Sequence, residues 1–252
     1  MRSLHTESKS RNWRKPLKST CTLFLAVFLF ASLSVAQNAP APPAARTDVY
    51  HIHFAAAAAG KAAQLGDYLK TPDPKAAMPG HFLVLRHQDG SEWDYVVIQH
   101  LGIKATVEAA GNPPPPAARD LYAWHNDTFV NGPSWVDFSR DMGIGDQPGK
   151  TAGSVYVVSV YRAAPGHRDQ LEKAVSAPPA GGGDIAVSNV LLAHLEGGPW
   201  NFLTIVRYNS WQDFGSSESG AVAQVAKGTG GWYELREHAV FHNDTLTDRI
   251  AP

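Results

Sequence analysis

Thiols are almost absent from this sequence: its single cysteine, Cys21, excludes an internal disulfide framework, a thiolate zinc cluster and an iron–sulfur site together. Net charge is nearly absent as well. With 22 basic against 23 acidic residues the formal charge is -1, so no global field recruits nucleic acid or an anionic membrane surface. A glycine-rich loop of the kind that cradles a nucleotide's phosphates is also missing. The 44% apolar content over 252 residues excludes disorder along the whole chain, being enough to bury one large core or two small ones.

The longest apolar run, the 16 residues from Cys21 to Ala36, falls slightly short of a bilayer span. It follows a basic segment carrying Arg2, Lys9, Arg11, Arg14, Lys15 and Lys18 against only Glu7, and it ends in Ser34-Val35-Ala36. That order is a secretory signal peptide with cleavage expected after Ala36, which predicts a periplasmic or secreted protein with no stable membrane insertion once cleaved. An uncleaved amino-terminal anchor is the alternative. Cys21 opens the run, where a lipid-modified cysteine would close it, so a lipoprotein is not expected. The mature chain would then be mildly acidic and free of cysteine, as suits an oxidising compartment. Residues 37–47 are rich in proline and alanine and read as a tether.

Compared with itself, the remaining chain shows an internal duplication. VYHIHFAAAAAGKAAQL from Val49 aligns with VYVVSVYRAAPGHRDQL from Val155, and LRHQDGSEWDY from Leu85 with LAHLEGGPWNF from Leu192. A third block matches RDLYAWHNDT from Arg119 with REHAVFHNDT from Arg236. Three blocks in one order mark two repeats. The expected organisation is a signal peptide at 1–36, a linker at 37–47, a first repeat at 48–130, a connection with a short helix at 131–153 and a second repeat at 154–250.

Within each repeat the periodicity changes in a fixed order. Strand-length runs at 49–54 and 155–161 are followed by helical patterns; in the second, Leu171, Ala174 and Val175 form an apolar stripe. Hairpins are expected from 81–88 and 93–100 around Asp89-Gly90, and from 188–195 and 200–208 around Gly197-Gly198. Ser210-Trp211-Gln212-Asp213 then opens a helix reaching about Lys227. The matching stretch of the first repeat, Lys104 to Ala110 and the rigid Pro113 to Pro116, gives a weak helix or none. Closing strands are expected at 119–126 and 235–243. Ser134-Trp135-Val136-Asp137-Phe138 repeats the cap pattern of Ser210 to Phe214, and each is read as a helix cap with a buried Trp and Phe.

Strand, helix, hairpin, helix, strand is the split βαβ unit of the α+β class, an antiparallel sheet with helices on one face. Apolar residues on both sides of its strands require a cover for the second face, and the duplicate supplies it. In this the chain resembles the dimeric α/β-barrel superfamily, ferredoxin-like units whose two sheets face each other, here in a fused tandem form covering about 48–250. The resemblance implies a pocket between sheet and helices. Its members include cofactor-independent monooxygenases, decarboxylases, haem-dependent enzymes and proteins with no known reaction, so it implies no activity. A haem ligand would be a histidine on or beside a helix; His167 is the only one on an expected helix, and its charged surroundings mark it as a surface residue.

Ten histidines remain after the signal segment. Two pairs obey the duplication, His87 with His194 and His125 with His242. The order 4-1-3-2 puts His87 and His125 on opposite edge strands, roughly 14 Å apart by three strand spacings; only across the seam between repeats would such pairs meet. In each HNDT sequence a carboxylate, Asp127 or Asp244, follows the imidazole at i+2, an arrangement for a general base. The same residues also suit a strand-ending turn, and Asn126 and Asn243 fit the glycosylation pattern of a eukaryotic host. His51 and His53 share one face of the first strand, where His100 and His125 on its neighbours would join them in a thiolate-free metal site if their faces agree. Trp93 and Tyr95, matched by Trp200 and Phe202, are expected on one face of strand three, as core packing or as the wall of a ligand pocket with His87 and His194.

The expectation is an exported protein that binds or acts on a small apolar or phenolic molecule, with histidine as base or anchor. No tightly held cofactor is required, a metal stays open, no nucleic acid is expected and self-association stays open. The alternative is a noncatalytic envelope module whose pocket is filled by its own aromatic residues. Whether the protein is an enzyme is not decided at this level.

Overall fold

Eight β-branched and aromatic runs become strands: β1 (Asp48–Ala57), β2 (Phe82–Asp89), β3 (Tyr95–Ile103), β4 (Tyr122–Gly132), β5 (Val155–Ala163), β6 (Ser188–Glu196), β7 (Phe202–Tyr208) and β8 (Ala239–Ala251). Helices α1 (Ala62–Leu69), α2 (Pro116–Arg119), α3 (Trp135–Met142), α4 (Arg168–Val175), α5 (Trp211–Val225) and α6 (Gly231–His238) connect them. The computed structural model describes residues 45–103, 116–145, 152–177, 185–196 and 199–252. The expected signal peptide, most of the tether, the Lys104 to Ala110 stretch and the Gly197-Gly198 turn lie outside the described residues. Among the described residues no helix is long and apolar enough to cross a membrane.

The strands close into one barrel in the order β1-β3-β2-β8-β5-β7-β6-β4. Each half therefore runs 4-1-3-2, and the halves join by β2 against β8 and β4 against β6. This is the α+β barrel of two facing ferredoxin-like sheets. Tyr50, Ile52, Leu83, Leu85, Ile98, Tyr156, Leu192, Leu203 and Ile205, all fully buried, pack as one interior core, as a small barrel with no free lumen requires. The opposite side chains meet helices. Ala55, Leu65 and Tyr95 pack together in the first half, and Leu171, Val175 and Phe202 in the second. Burying each large apolar side chain contributes about 1.5–3 kcal/mol.

All pairings are antiparallel, so β1, β2, β5 and β6 point one way and begin at the same mouth. Helix α3 closes that mouth. Ser134 caps it by accepting from the Asp137 N–H at 3.2 Å, and Phe138 and Met142 enter the barrel core. Its last carbonyls, which have no partner within a helix, are met from the barrel: Tyr156 Oη donates to Met142 O at 2.9 Å, and Ser188 and Arg207 both donate to Asp141 O. The cap of α5 also forms, Ser210 accepting from Asp213 N–H at 3.1 Å. Its Trp211, expected to be buried, is instead 49% exposed, because α5 lies on the surface with no buried residue.

Two expectations about the strands need correction. The closing strands do not stop at HNDT: Asp127 pairs with His53 and Thr128 with Ile52, while Asp244 pairs with Ser159 and Thr245 with Val158. With the backbone held in the ladder, a strand-ending turn cannot form. The segment from 235, expected as strand, is the end of α6, whose Leu235 packs toward the helix-side core. The second correction concerns the aromatic pairs. Trp93 precedes β3 and packs inside the barrel, whereas Tyr95 packs on the helix side; Trp200 and Phe202 divide in the same way. The residue between them causes it. Asp94 donates its N–H to Ala55 O and accepts from His87 and Ala57 N–H groups, and Asn201 makes the same bonds to Tyr161, His194 and Ala163. This repeated irregularity breaks the alternation of faces.

Gly90 holds the β2–β3 hairpin against β8 at a φ of +122°, where an added Cβ would collide with the Asp244 carbonyl and lie 2.8 Å from Thr245 Cα. Gly90→Ala is expected to destabilise the fold by about 2 kcal/mol or more, read as a lowered midpoint of chemical unfolding. An unchanged midpoint would mean that this hairpin does not pack on β8 as described.

Candidate functional site

The outward face of β1 and β4 carries the densest group of titratable side chains. His51 and His53 lie at i and i+2 on β1; His53 is paired with Asp127 of β4, and His125 stands two residues before that aspartate. The three rings converge on one carboxylate. His51 Nε2 lies 2.9 Å and His53 Nδ1 2.7 Å from Asp127 Oδ1, and His125 Nδ1 lies 2.6 Å from Oδ2. An ionised carboxylate only accepts, so each ring donates through the named nitrogen and keeps its other nitrogen free. Burial works against the Asp127 charge, yet the hydrogen bonds from His51 and His53 hold its carboxyl well below the usual carboxylate range. The His53 ring lies tilted beside that of His125, centroids 5.2 Å apart, and meets Tyr122 edge-on, and its Nε2 is buried without a hydrogen-bond partner.

The i+2 pairing of His125 with Asp127 is therefore present, and His51 and His53 join it. His100 does not. It faces the barrel end, where Nε2 donates to Asp48 Oδ2 at 2.8 Å and the ring stacks on Trp135 and lies tilted against Tyr50. It pairs with the inward-facing Tyr50 in the β1–β3 ladder, and so lies on the face opposite to His51 and His53. His81, which the sequence did not single out, approaches His100 with Nδ1 atoms 3.0 Å apart and stacks on Trp135. Asp48 also accepts from the Trp135 N–H at 3.0 Å, so this group anchors the start of α3. Burial lowers the His100 pKa, against the opposing pull of Asp48.

The duplicated histidines separate by face. His87 and His194 point inward beside Trp93 and Trp200, with ring centroids 5.9 and 4.4 Å apart. His194 donates from Nδ1 to Trp200 O at 2.8 Å, and its Nε2 contacts the Thr128 hydroxyl across the β4–β6 seam. His125 and His242 point outward, so no pair drawn across a seam combines them with His87 or His194. His242 repeats the position of His125 but not its partners: Asp244 lies at 3.7 Å, and Val157 and Ser159 stand where β1 has His51 and His53. His167, considered as a haem ligand, precedes α4 and pairs with His238, Nδ1 to Nδ1, at 3.0 Å.

The second half instead holds a solvent-open pocket of about 240 Å³ between its sheet and helices α4 and α6, lined by Tyr161, Val175, Asn189, Thr204, Glu234 and Leu235, among others. The expected apolar stripe of α4 supplies one wall. Asn189 spends its amide N–H groups on the carbonyls of Val175 and Ala177, and its buried Oδ1 has no hydrogen-bond partner. Tyr161, whose phenol burial pushes above its ordinary pKa, stacks on His242 with ring centroids 6.3 Å apart. Asn189, Thr204 and Tyr161 were missed from sequence, because isolated polar residues on strands carry no motif.

No protein-family model matches the sequence, and no curated protein is significantly similar to it. Solved structures do resemble the fold. An anthrone oxidase-like protein is 12% identical with a TM-score of 0.50, covering 82% of this chain and 92% of its own. A candidate monooxygenase from Fusobacterium nucleatum subsp. nucleatum is 6% identical with a TM-score of 0.52, covering 81% and 93%. At these identities the likeness establishes the dimeric α+β barrel fold alone.

Asp127 is expected to stay ionised well below the ordinary aspartate value of about 3.9. Its contribution to stability, present above that value, should be lost only as the pH falls through the lower folded pKa. A carbon-13 NMR titration of its carboxyl checks this, with the double substitution His51→Val and His53→Ser returning the midpoint toward the ordinary range. An Asp127 that titrates normally in the unaltered chain would show that the imidazoles do not hold it.

Proposed function

We propose that this chain is an exported, tandemly duplicated α+β barrel that binds, and presents for reaction, a compact apolar or phenolic molecule in the second-half cavity. The single observation that carries this reading is the pocket itself: about 240 Å³, with a mixed lining in which Val175, Val206 and Leu235 stand beside Thr204 and Glu234, and with one buried acceptor, Asn189 Oδ1, left unpaired. A site of about 150 Å³ accommodates one benzene ring, so one or two rings fit here. A ligand hydroxyl would satisfy Asn189, and Thr204 and Tyr161 offer further polar contacts, the pattern of a small-molecule site. His242 is the polar anchor behind Tyr161. The basic and apolar amino-terminal segments support export. The neighbours' names, an oxidase-like protein and a monooxygenase, agree with a small organic substrate.

The reading of a self-filled module fits the first half better. There Tyr95 occupies the space beside α1, its Oη donating to Ala62 O at 2.8 Å, and a Cβ on Gly66 would lie 2.8 Å from that oxygen. The two halves are thus assigned different roles.

Titration with phenol or 1-naphthol, followed by backbone amide NMR, should give saturable shifts confined to α4, α6 and β5–β7. Ala174→Phe, which fills the cavity, should abolish them, and Thr204→Val should weaken binding about five-fold, the value of one hydrogen bond. Equal binding by the unaltered chain and the Ala174→Phe chain would overturn the proposal.

A further inference from the structure

The cluster on β1 and β4 is independent of that cavity and has a chemistry of its own. We propose that His53, His125 and Asp127, with His51 beside them, form a binding site for a divalent transition-metal cation of the zinc type.

The donor set comes first. His53, His125 and Asp127 each offer a ligand atom, and these atoms lie within 4.8 Å of one another. Nitrogen with one carboxylate oxygen, and no thiolate, suits zinc, nickel or copper; calcium and magnesium prefer all-oxygen shells. The frame is rigid as well. His53 and Asp127 are paired residues of adjacent strands, so their separation is set by the sheet and not by a loop, which favours a preformed site.

Two observations separate this cluster from an ordinary surface network. The first is His53 Nε2, buried without a hydrogen-bond partner. Buried nitrogens are usually satisfied; His87 Nε2 and His242 Nδ1 are orphaned too, but among the described residues this is the orphaned ring that belongs to a cluster with metal-ligand spacing. The second is the other half of the molecule. The positions matching His51 and His53 are Val157 and Ser159, facing Leu246 and Asp244 in the same ladder. The sheet is therefore built without histidines there, and β1 holds two that the fold does not require. Three protein ligands leave a coordination position open, and the His125 side chain is 51% exposed, so the bound cation would exchange ligands with solvent, as open zinc sites do.

The second half also supplies the substitutions for the test. Zinc chloride is titrated into the full chain near neutral pH and followed by calorimetry, with native mass spectrometry to count ions. The unaltered protein should bind one Zn²⁺ per chain and gain thermal stability with zinc concentration. H51V/H53S and, separately, D127N should weaken binding at least about ten-fold. H167Q/H238Q, which removes the other outward histidine pair, should bind as the unaltered chain does. Should H51V/H53S fail to fold, D127N decides the matter. Absence of saturable binding, equal affinity in D127N, or a loss confined to H167Q/H238Q would overturn the proposal. Naphthol binding in H51V/H53S should persist, so failure of the metal site and failure of the cavity are read separately.

Discussion

An antiparallel sheet that is apolar on both faces cannot be left open, and the architecture answers that constraint. Each four-stranded half covers one face with helices and has nothing of its own for the other. The two bare faces meet and their edges pair, β2 with β8 and β4 with β6. The result has no free sheet edge, which removes the commonest route to edge-on aggregation. It also leaves two mouths, and α3, the connection between the halves, fills one of them with Phe138 and Met142. The link between the halves is thereby part of the core.

Closure sorts side chains into two populations with different chemistry. Inward positions share one packed volume: Leu192 and Tyr50, from opposite halves, both crowd the space beside Gly132. The histidines that enter this volume, His87 and His194, become packing partners of tryptophans. Outward positions face helices or solvent, and there three imidazoles gather around the Asp127 carboxylate. The side taken by a histidine decides more about its role than does its place in a repeated motif.

Much of the architecture was legible in the residues. The strand and helix order, the caps at Ser134 and Ser210, the apolar stripe of α4 and the helix-covered antiparallel sheets follow from local period and from matching blocks, which depend on near neighbours. The site was legible in part. That His51, His53 and His125 agree in face follows from parity along strands, once the order of strands is known. His100 lies on the other face because its partner in the ladder is the inward-facing Tyr50, a register that the residues do not announce, and the Trp93–Tyr95 pair was misassigned because Asp94 breaks the alternation. That irregularity is held by backbone and side-chain hydrogen bonds of Asp94 to the two neighbouring strands, which only the assembled sheet reveals. The HNDT blocks mislead for a related reason: their turn preference is real but weaker than a ladder bonded along its length. The cavity was invisible because it depends on the joint size of side chains from five elements.

The shared interior also explains why the histidine cluster and the pocket lie outside the barrel. A substitution at an inward position alters the packing of both halves at once, since their side chains interdigitate in one close-packed space. An outward position belongs to one half only and answers to its own helices. His51 and His53 can thus stand where the other half has Val157 and Ser159, and Ala55 can stand where it has Tyr161, with the same strand order and the same bonds at Asp94 and Asn201. One half gathers imidazoles on a partly exposed face, and the other holds a pocket behind α4 and α6. Two halves held together by a common interior are free to differ only on the surfaces that they do not share.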